Sequence, residues 1–414
     1  MPLQRKVHSI NRPNSLAAVA IILVVLCSCG GGAPTTQPSS SSAPSPTTAP
    51  PPSASPTPTA SPSPSCAEAV LARMTPTQRV GQLFAVGLQD DRLGSSEAGQ
   101  IRRYHFGSVT FIVTTTVWAT AIRAVTDAVQ SLATSRTTAR VGFFVAANQE
   151  GGVIQALRGP GFSRMPSAAV QGRMAVSDLR ARATRWGQEL AAAGVNFNFA
   201  PVLDVVPPGA DAQNEPIGVL KRGYGHDPAT VASHGLAFFR GMRRAGVATS
   251  AKHFPGLGRV KGNTDFAAGV VDRVTTRDDP YLEPFRQAVK AGVPFVMVAL
   301  ATYTHIDPAH IAVFSPVVME QLLRGDLGFT GVIVSDDIGE AKAVGSIPPA
   351  TRAVDFLEAG GDMIVSKTVP PAATMAGAVL ARMETNPSFR SRVDDAVLRI
   401  LRAKEAFRLV PCGT

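Results

Sequence analysis

Ala245-Gly246-Val247-Ala248-Thr249-Ser250-Ala251-Lys252-His253, residues 245–253, carries the plan of the chain in one short stretch. A glycine suited to the left-handed end of a helix comes first. A run suited to a buried strand follows, and two polar residues stand where that strand stops. The cadence recurs. Ala193-Gly194-Val195 and Ala291-Gly292-Val293 repeat the helix end, while Asp227-Pro228, Asp279-Pro280 and Ser315-Pro316 repeat a helix start, a capping side chain before a first-turn proline. Eight β-branched or aromatic runs are predicted as strands, at 83–87, 107–113, 142–146, 195–203, 247–252, 295–300, 332–335 and 362–365. Between them, Trp118, Ile122, Val125, Val129 and Leu132 form one helical apolar stripe, and Val231, Gly235, Phe238 and Met242 form another. Strand and helix alternate, which argues for a parallel sheet.

The strand ends decide between an open sheet and a closed one. After the first run, Phe84-Ala85-Val86-Gly87-Leu88-Gln89-Asp90 offers no Gly-x-Gly-x-x-Gly, so a dinucleotide site lacks its phosphate cradle. Nor does that run hold a His-x-His for a metal hydrolase, so neither a metal nor a cofactor is expected. Polar residues instead cap most runs: Asn148-Gln149-Glu150, Asp204, Lys252-His253, Tyr303 and Asp336-Asp337. An open sheet gathers its site at one switch point, whereas a barrel draws on the ends of many strands. The expected fold is α/β, a single-domain (β/α)₈ TIM-type barrel over residues 66–414. Lys252, ending an apolar strand and aimed into the barrel mouth, needs a partner, because an unpaired buried charge is costly. Asn148-Gln149-Glu150 sets an amide and an acid beside Gly151 and Gly152, glycines that would let the backbone approach a ligand. Asp336-Asp337 reads either as a helix cap or as catalytic, and Arg222 either as a ligand contact or as surface.

Outside that domain the chain reads differently. Arg5, Lys6 and Arg12 precede an apolar run, residues 16–26, that is too short to span a bilayer and suits a signal-peptide core. It ends Leu26-Cys27-Ser28-Cys29-Gly30, which resembles a bacterial lipoprotein signal. The resemblance implies a signal peptide at 1–28, lipidation of Cys29, and a protein exported and anchored to the outer face of the cell membrane. Residues 30–65 hold only Gly, Ala, Pro, Thr, Ser and one Gln. Such a segment cannot bury a core, so 29–65 reads as a disordered tether reaching on the order of 100 Å. Cys66 and Cys412 bracket the folded part. They are either a bridge joining its ends, which an export compartment permits, or two free thiols. Of the formal charge of +10, the leader's three basic residues leave +7. The remaining basic residues lie along helices without interleaved aromatics, which argues for a solvated exterior and against nucleic acid.

Five segments resemble the family 3 glycoside hydrolases, in their single-domain β-N-acetylhexosaminidase branch: Asn148-Gln149-Glu150-Gly151-Gly152, residues 194–204, Arg222-Gly223-Tyr224-Gly225, Lys252-His253-Phe254-Pro255-Gly256 and Val334-Ser335-Asp336-Asp337. They occur in the family's order. The resemblance implies a carbohydrate substrate, with peptidoglycan fragments as its expected source, and retaining hydrolysis with Asp336 as nucleophile. Asn148, Arg222, Lys252 and His253 would bind the terminal sugar.

The chain departs from the family at the proton donor. The branch carries Asp-Ser-His in the loop after Lys-His-Phe-Pro-Gly, and here Asn263-Thr264-Asp265 stands in its place. Asn148 also replaces an Asp of the family, and an expected Arg falls on Ala156. Three readings follow. Asp265 is the acid, with a pKa raised on loop closure; or a histidine from elsewhere, His305 or His310, replaces it; or the domain is a catalytically impaired sugar-binding lipoprotein of the same fold.

Overall fold

The computed structural model describes residues 65–90 and 92–412. The signal and tether, Cys29 among them, lie outside the described residues except for Ser65. Eight strands close into a barrel: Phe84–Leu88, Ser108–Phe111, Phe144–Ala147, Phe197–Asn198, Ala248–Phe254, Phe295–Val298, Val332–Asp337 and Met363–Ser366. Each pairs in parallel with the next, and the eighth closes on the first through Phe84↔Ile364 and Ala85↔Val365. All eight expected runs supply a strand, so the (β/α)₈ barrel is the fold.

Local chemistry sets the helix ends. Asp227 accepts the Thr230 N–H at 2.8 Å, Asp279 that of Tyr281 at 2.8 Å and Ser315 that of Val318 at 3.1 Å. Gly194, Gly246 and Gly292 take φ of 74°, 78° and 77°, the left-handed turn a Cβ would strain. Trp118 leaves its expected stripe. It is the N-cap of Ala119–Gln130 and is 66% exposed, while Ile122 and Val129 carry the buried face.

The fourth strand is much shorter than its apolar run. Side chains supplement the backbone ladder there. Asn196 accepts the Val145 N–H at 2.8 Å and donates to the Phe143 carbonyl at 3.0 Å, and Asn198 does the same with the two backbone groups of Gln149 at 3.0 Å. Pro201, which has no N–H, ends regular pairing. Residues 200–203 nevertheless stay bonded to the fifth strand, the carbonyls of Ala200 and Pro201 accepting the N–H groups of Ser250 and Lys252 at 3.1 Å and the Leu203 N–H donating to the Lys252 carbonyl at 2.6 Å, and this carries Asp204 to the site.

The base of the barrel is filled by Phe144, Phe197 and Phe295, with ring centroids 4.3–5.4 Å apart. Each fully buried ring contributes about 1.5–3 kcal/mol through lost water contact. The final helix, Pro387–Ala406, returns beneath the barrel, and Cys412 is joined to Cys66 with their Cα atoms 5.4 Å apart. No helix among the described residues is long and apolar enough to cross a membrane.

Lys404 points from that helix into the base, fully buried. It donates to the Gln82 Oε1 and the Gly107 carbonyl, both at 2.7 Å. Burial pushes its pKa from 10.5 down to about 7. Above pH 7 the folded chain sheds this proton while the unfolded chain keeps it up to about pH 10.5, so the native state gains stability as pH rises through that window. Chemical unfolding of the wild type and Lys404→Met across pH 6–11 isolates the effect. Between pH 7 and 10.5 the wild type is expected to gain on the variant by about 1.4 kcal/mol for each pH unit, and a pH-independent difference would refute it.

Candidate active site

Glu150 follows the third strand and is buried at the mouth of the barrel. It holds two cations. Arg222 grips it bidentately, Nε to Oε2 and Nη2 to Oε1, each at 2.8 Å, and Lys252 Nζ lies 2.6 Å from Oε1. Lys252 also donates to Asn148 Oδ1 at 2.8 Å. Burial alone would raise the Glu150 pKa; the charges of Arg222 and Lys252 outweigh it and bring the value down to about 2. Burial acts on Lys252 in the opposite sense and lowers it, against the pull of Glu150. The strand-end lysine therefore has the partner its position demands.

Asp204 orients His253. Its Oδ2 lies 2.7 Å from His253 Nδ1, and its Oδ1 accepts the backbone N–H groups of His253 and Leu257 at 3.1 and 2.7 Å. A carboxylate only accepts, so Nδ1 carries the proton in this pair. Arg222 Nη2 stands 3.3 Å from Nε2 on the other side of the ring. The imidazole is thus held by an acceptor behind and a donor beside it, with one edge toward the cavity.

The two acids that end the seventh strand have different tasks. Asp337 Oδ1 accepts backbone N–H groups from Gly339 and Lys367 at 3.0 and 3.1 Å, and from Glu340 at 3.3 Å. It is a clamp on the strand ends, and burial raises its pKa. Asp336 Oδ1 accepts only the Asp337 N–H at 2.8 Å, and its Oδ2 accepts no hydrogen bond among the described residues. Burial opposes its charge. His253, Lys367, the Asp337 N–H and Lys252 overcome that penalty and hold its pKa below the ordinary carboxylate value. Asp336 is consequently the ionised group with an oxygen to spare.

Asp265 reaches the same place from the loop after the fifth strand. Asn263 Oδ1 caps its N–H at 3.0 Å, and the carbonyls of Thr264 and Asp265 accept the N–H groups of Ala343 and Lys342, each at 3.1 Å. Its carboxylate meets Lys367 Nζ at 3.2 Å. Asn148, Arg222, Lys252, His253, Asp265 and Asp336 all line one cavity of about 230 Å³, with Phe199, Leu257 and Met297 on its apolar walls. Phe266 stands at its edge, 81% exposed.

Two expectations need correction. Gly151 and Gly152 do not face the cavity. A Cβ on them would meet the Pro166 carbonyl at 2.2 Å and Ser167 Cβ at 2.8 Å, so they serve chain packing. His305 and His310 do not line the cavity either, and His310 is bonded to Asp307 at 2.9 Å on a separate small sheet. Neither is placed to serve as the acid. Sequence reasoning placed Glu150, Asp204 and Asp337 at strand ends without their partners, and it missed Lys367. The signal for Lys367 was present: it is a lysine directly after a buried strand.

With this geometry in view, comparison with known proteins is specific. Residues 75–403 match the family described as glycosyl hydrolase family 3 N terminal domain. A β-hexosaminidase of Methylococcus capsulatus is 34% identical over 277 residues, covering 63% of this chain and 80% of the relative. Among solved structures, a β-N-acetylhexosaminidase from Beutenbergia cavernae superposes with a TM-score of 0.79 at 45% identity, over 81% of this chain and 99% of its own. A family 3 β-N-acetylglucosaminidase from a Paenibacillus species gives 0.72 at 28% identity, over 82% and 64%. The chain belongs to glycosyl hydrolase family 3.

Proposed function

We propose that the chain is a retaining β-N-acetylhexosaminidase that uses Asp336 as nucleophile and Asp265 as acid and base. The observation that carries this reading is the cavity in which an ionised Asp336 with one free oxygen faces a set of oriented donors. Donor counting sharpens it. Lys252 has three N–H groups, and Glu150 and Asn148 occupy two. Arg222 has five, and Glu150, Pro216 and His253 occupy four. Each cation thus keeps one donor for a sugar hydroxyl, held rigidly enough to strengthen as positive charge develops on the ring.

Asp336 attacks the anomeric carbon while Asp265 passes a proton to the departing oxygen; the C–O bond breaks and a glycosyl-enzyme forms. Asp265, now ionised, takes a proton from water, which attacks the same carbon and releases Asp336. The relatives named above support N-acetylhexosamine as the sugar. The leader, with Cys29 at its end, supports an enzyme anchored in the cell envelope by lipid, where peptidoglycan fragments would be its substrates. The same geometry also admits an impaired sugar-binding lipoprotein, and kinetics separates the two.

Turnover of an activated aryl β-N-acetylglucosaminide is expected in the wild type and not in Asp336→Ala. Equal, background rates in both would leave only sugar binding. In Asp265→Ala the loss on a natural disaccharide is expected at about 10²–10⁴-fold, with a much smaller loss on the aryl substrate, whose leaving group needs little protonation. Equal losses on both would remove Asp265 from the acid role. For the anchor, metabolic labelling with a fatty acid is expected to mark the wild type and to miss Cys29→Ala; label in both would place the lipid elsewhere, and label in neither would leave the chain without one.

A further inference from the structure

Lys367 is the one cation of the cavity not tied to Glu150 among the described residues, and three carboxylates face it. Its Nζ lies 3.2 Å from Asp265 Oδ1 and 3.5 Å from Asp337 Oδ2, and Asp336 acts on it at longer range. The three acids come from two different pieces of chain. Asp336 and Asp337 end the seventh strand, whereas Asp265 rides on a loop anchored by backbone bonds to Lys342, Ala343 and Glu215, by the Asn214 amide on the Leu257 and Val260 carbonyls, and by the Asn263 N–H on Glu215 at 3.1 Å. None of those anchors aims the Asp265 side chain. Lys367 does.

We propose that Lys367 is a positioning residue that holds the Asp265 carboxyl group over the cavity and ties the loop carrying it to the nucleophile strand. This rests on Asp265 being the acid. Both members of the pair are 38% exposed, so the bond contributes little to global stability, as exposed ion pairs ordinarily do. Its consequence is kinetic. An acid that swings free of the glycosidic oxygen loses the advantage of proximity, and the loss grows as the leaving group becomes worse. Lys367 also acts on the nucleophile. The titratable groups around Asp336 are His253, Lys367 and Lys252, which favour its ionised form, and Asp337 beside it, with Arg222 and Asp265 also on the cavity. Without Lys367 the Asp336 pKa rises, so the acidic limb of kcat/KM moves to higher pH.

The test is a cycle of Lys367→Met and Lys367→Arg, each made in the wild type and in Asp265→Ala, assayed on a chitin disaccharide and a dinitrophenyl glycoside. With Asp265 present, Lys367→Met is expected to lower kcat/KM on the disaccharide by about 10–100-fold and on the aryl substrate by less than about 3-fold, within the range of lost general acid catalysis. Lys367→Arg is expected to recover most of that loss, and the acidic limb is expected to shift upward in Lys367→Met alone. In the Asp265→Ala background Lys367→Met should cost no more than about 2-fold at neutral pH, since coupled residues are non-additive. Equal losses on both substrates, or the full loss again without Asp265, would overturn the proposal. The Asp265→Ala enzyme by itself judges the acid assignment, so failure of that assignment and failure of the tether give different patterns. Thermal melting confirms that each variant is folded.

Discussion

The site depends on one buried carboxylate with two buried cations. Glu150 alone in that position would be neutral, and Arg222 or Lys252 alone would be an uncompensated charge; together they form a charge-assisted cluster that removing any member would leave unbalanced. Everything else is arranged around it. Asn148 completes the contacts of Lys252, His253 is fitted between Arg222 and Asp204, and the surplus donors are directed at the cavity. His253, Lys367 and Lys252 supply the field in which Asp336 stays ionised in spite of burial. Recognition of the sugar and activation of the nucleophile thus share His253 and Lys252.

The barrel was legible because its signals are local and repeated. Glycine at a helix end, an apolar run and a polar strand end recur along the chain, and each has a physical reason to mark the same feature. The fourth strand was legible only in place, not in length. Its run from 195 to 203 is largely apolar, yet Asn196 and Asn198 add side-chain amide bonds to the backbone of the third strand and its end, a contribution that periodicity does not register. The site was legible as a set of strand-end residues, because parallel strands deliver their C-terminal ends to one face. Their partnerships were not. Glu150 and Arg222 are 72 positions apart, and only the closed barrel brings them into contact.

Gly151 and Gly152 show the opposite error. Adjacent to polar strand-end residues, they look like a place for a ligand, but the atoms that crowd them belong to Pro166 and Ser167. Close approach of backbone was the right physical inference, and the approaching partner was another part of the chain. The loop at Asn263-Thr264-Asp265 is similar. The family's motif directs attention to the missing histidine, whereas the structure directs it to Lys367, which takes hold of the residue standing there.

The division of labour between neighbouring acids is the centre of the mechanism: Asp337 is buried, spends one oxygen on three backbone N–H groups and has its pKa raised, whereas Asp336 is partly open to the cavity and held ionised. The most direct measurement is covalent trapping with a fluorinated N-acetylglucosaminyl fluoride that forms the glycosyl-enzyme but releases it slowly, followed by proteolysis and mass spectrometry. The adduct is expected on Asp336. An adduct on Asp337 or Asp265, or turnover of the reagent with no adduct at all, would contradict a covalent mechanism through Asp336.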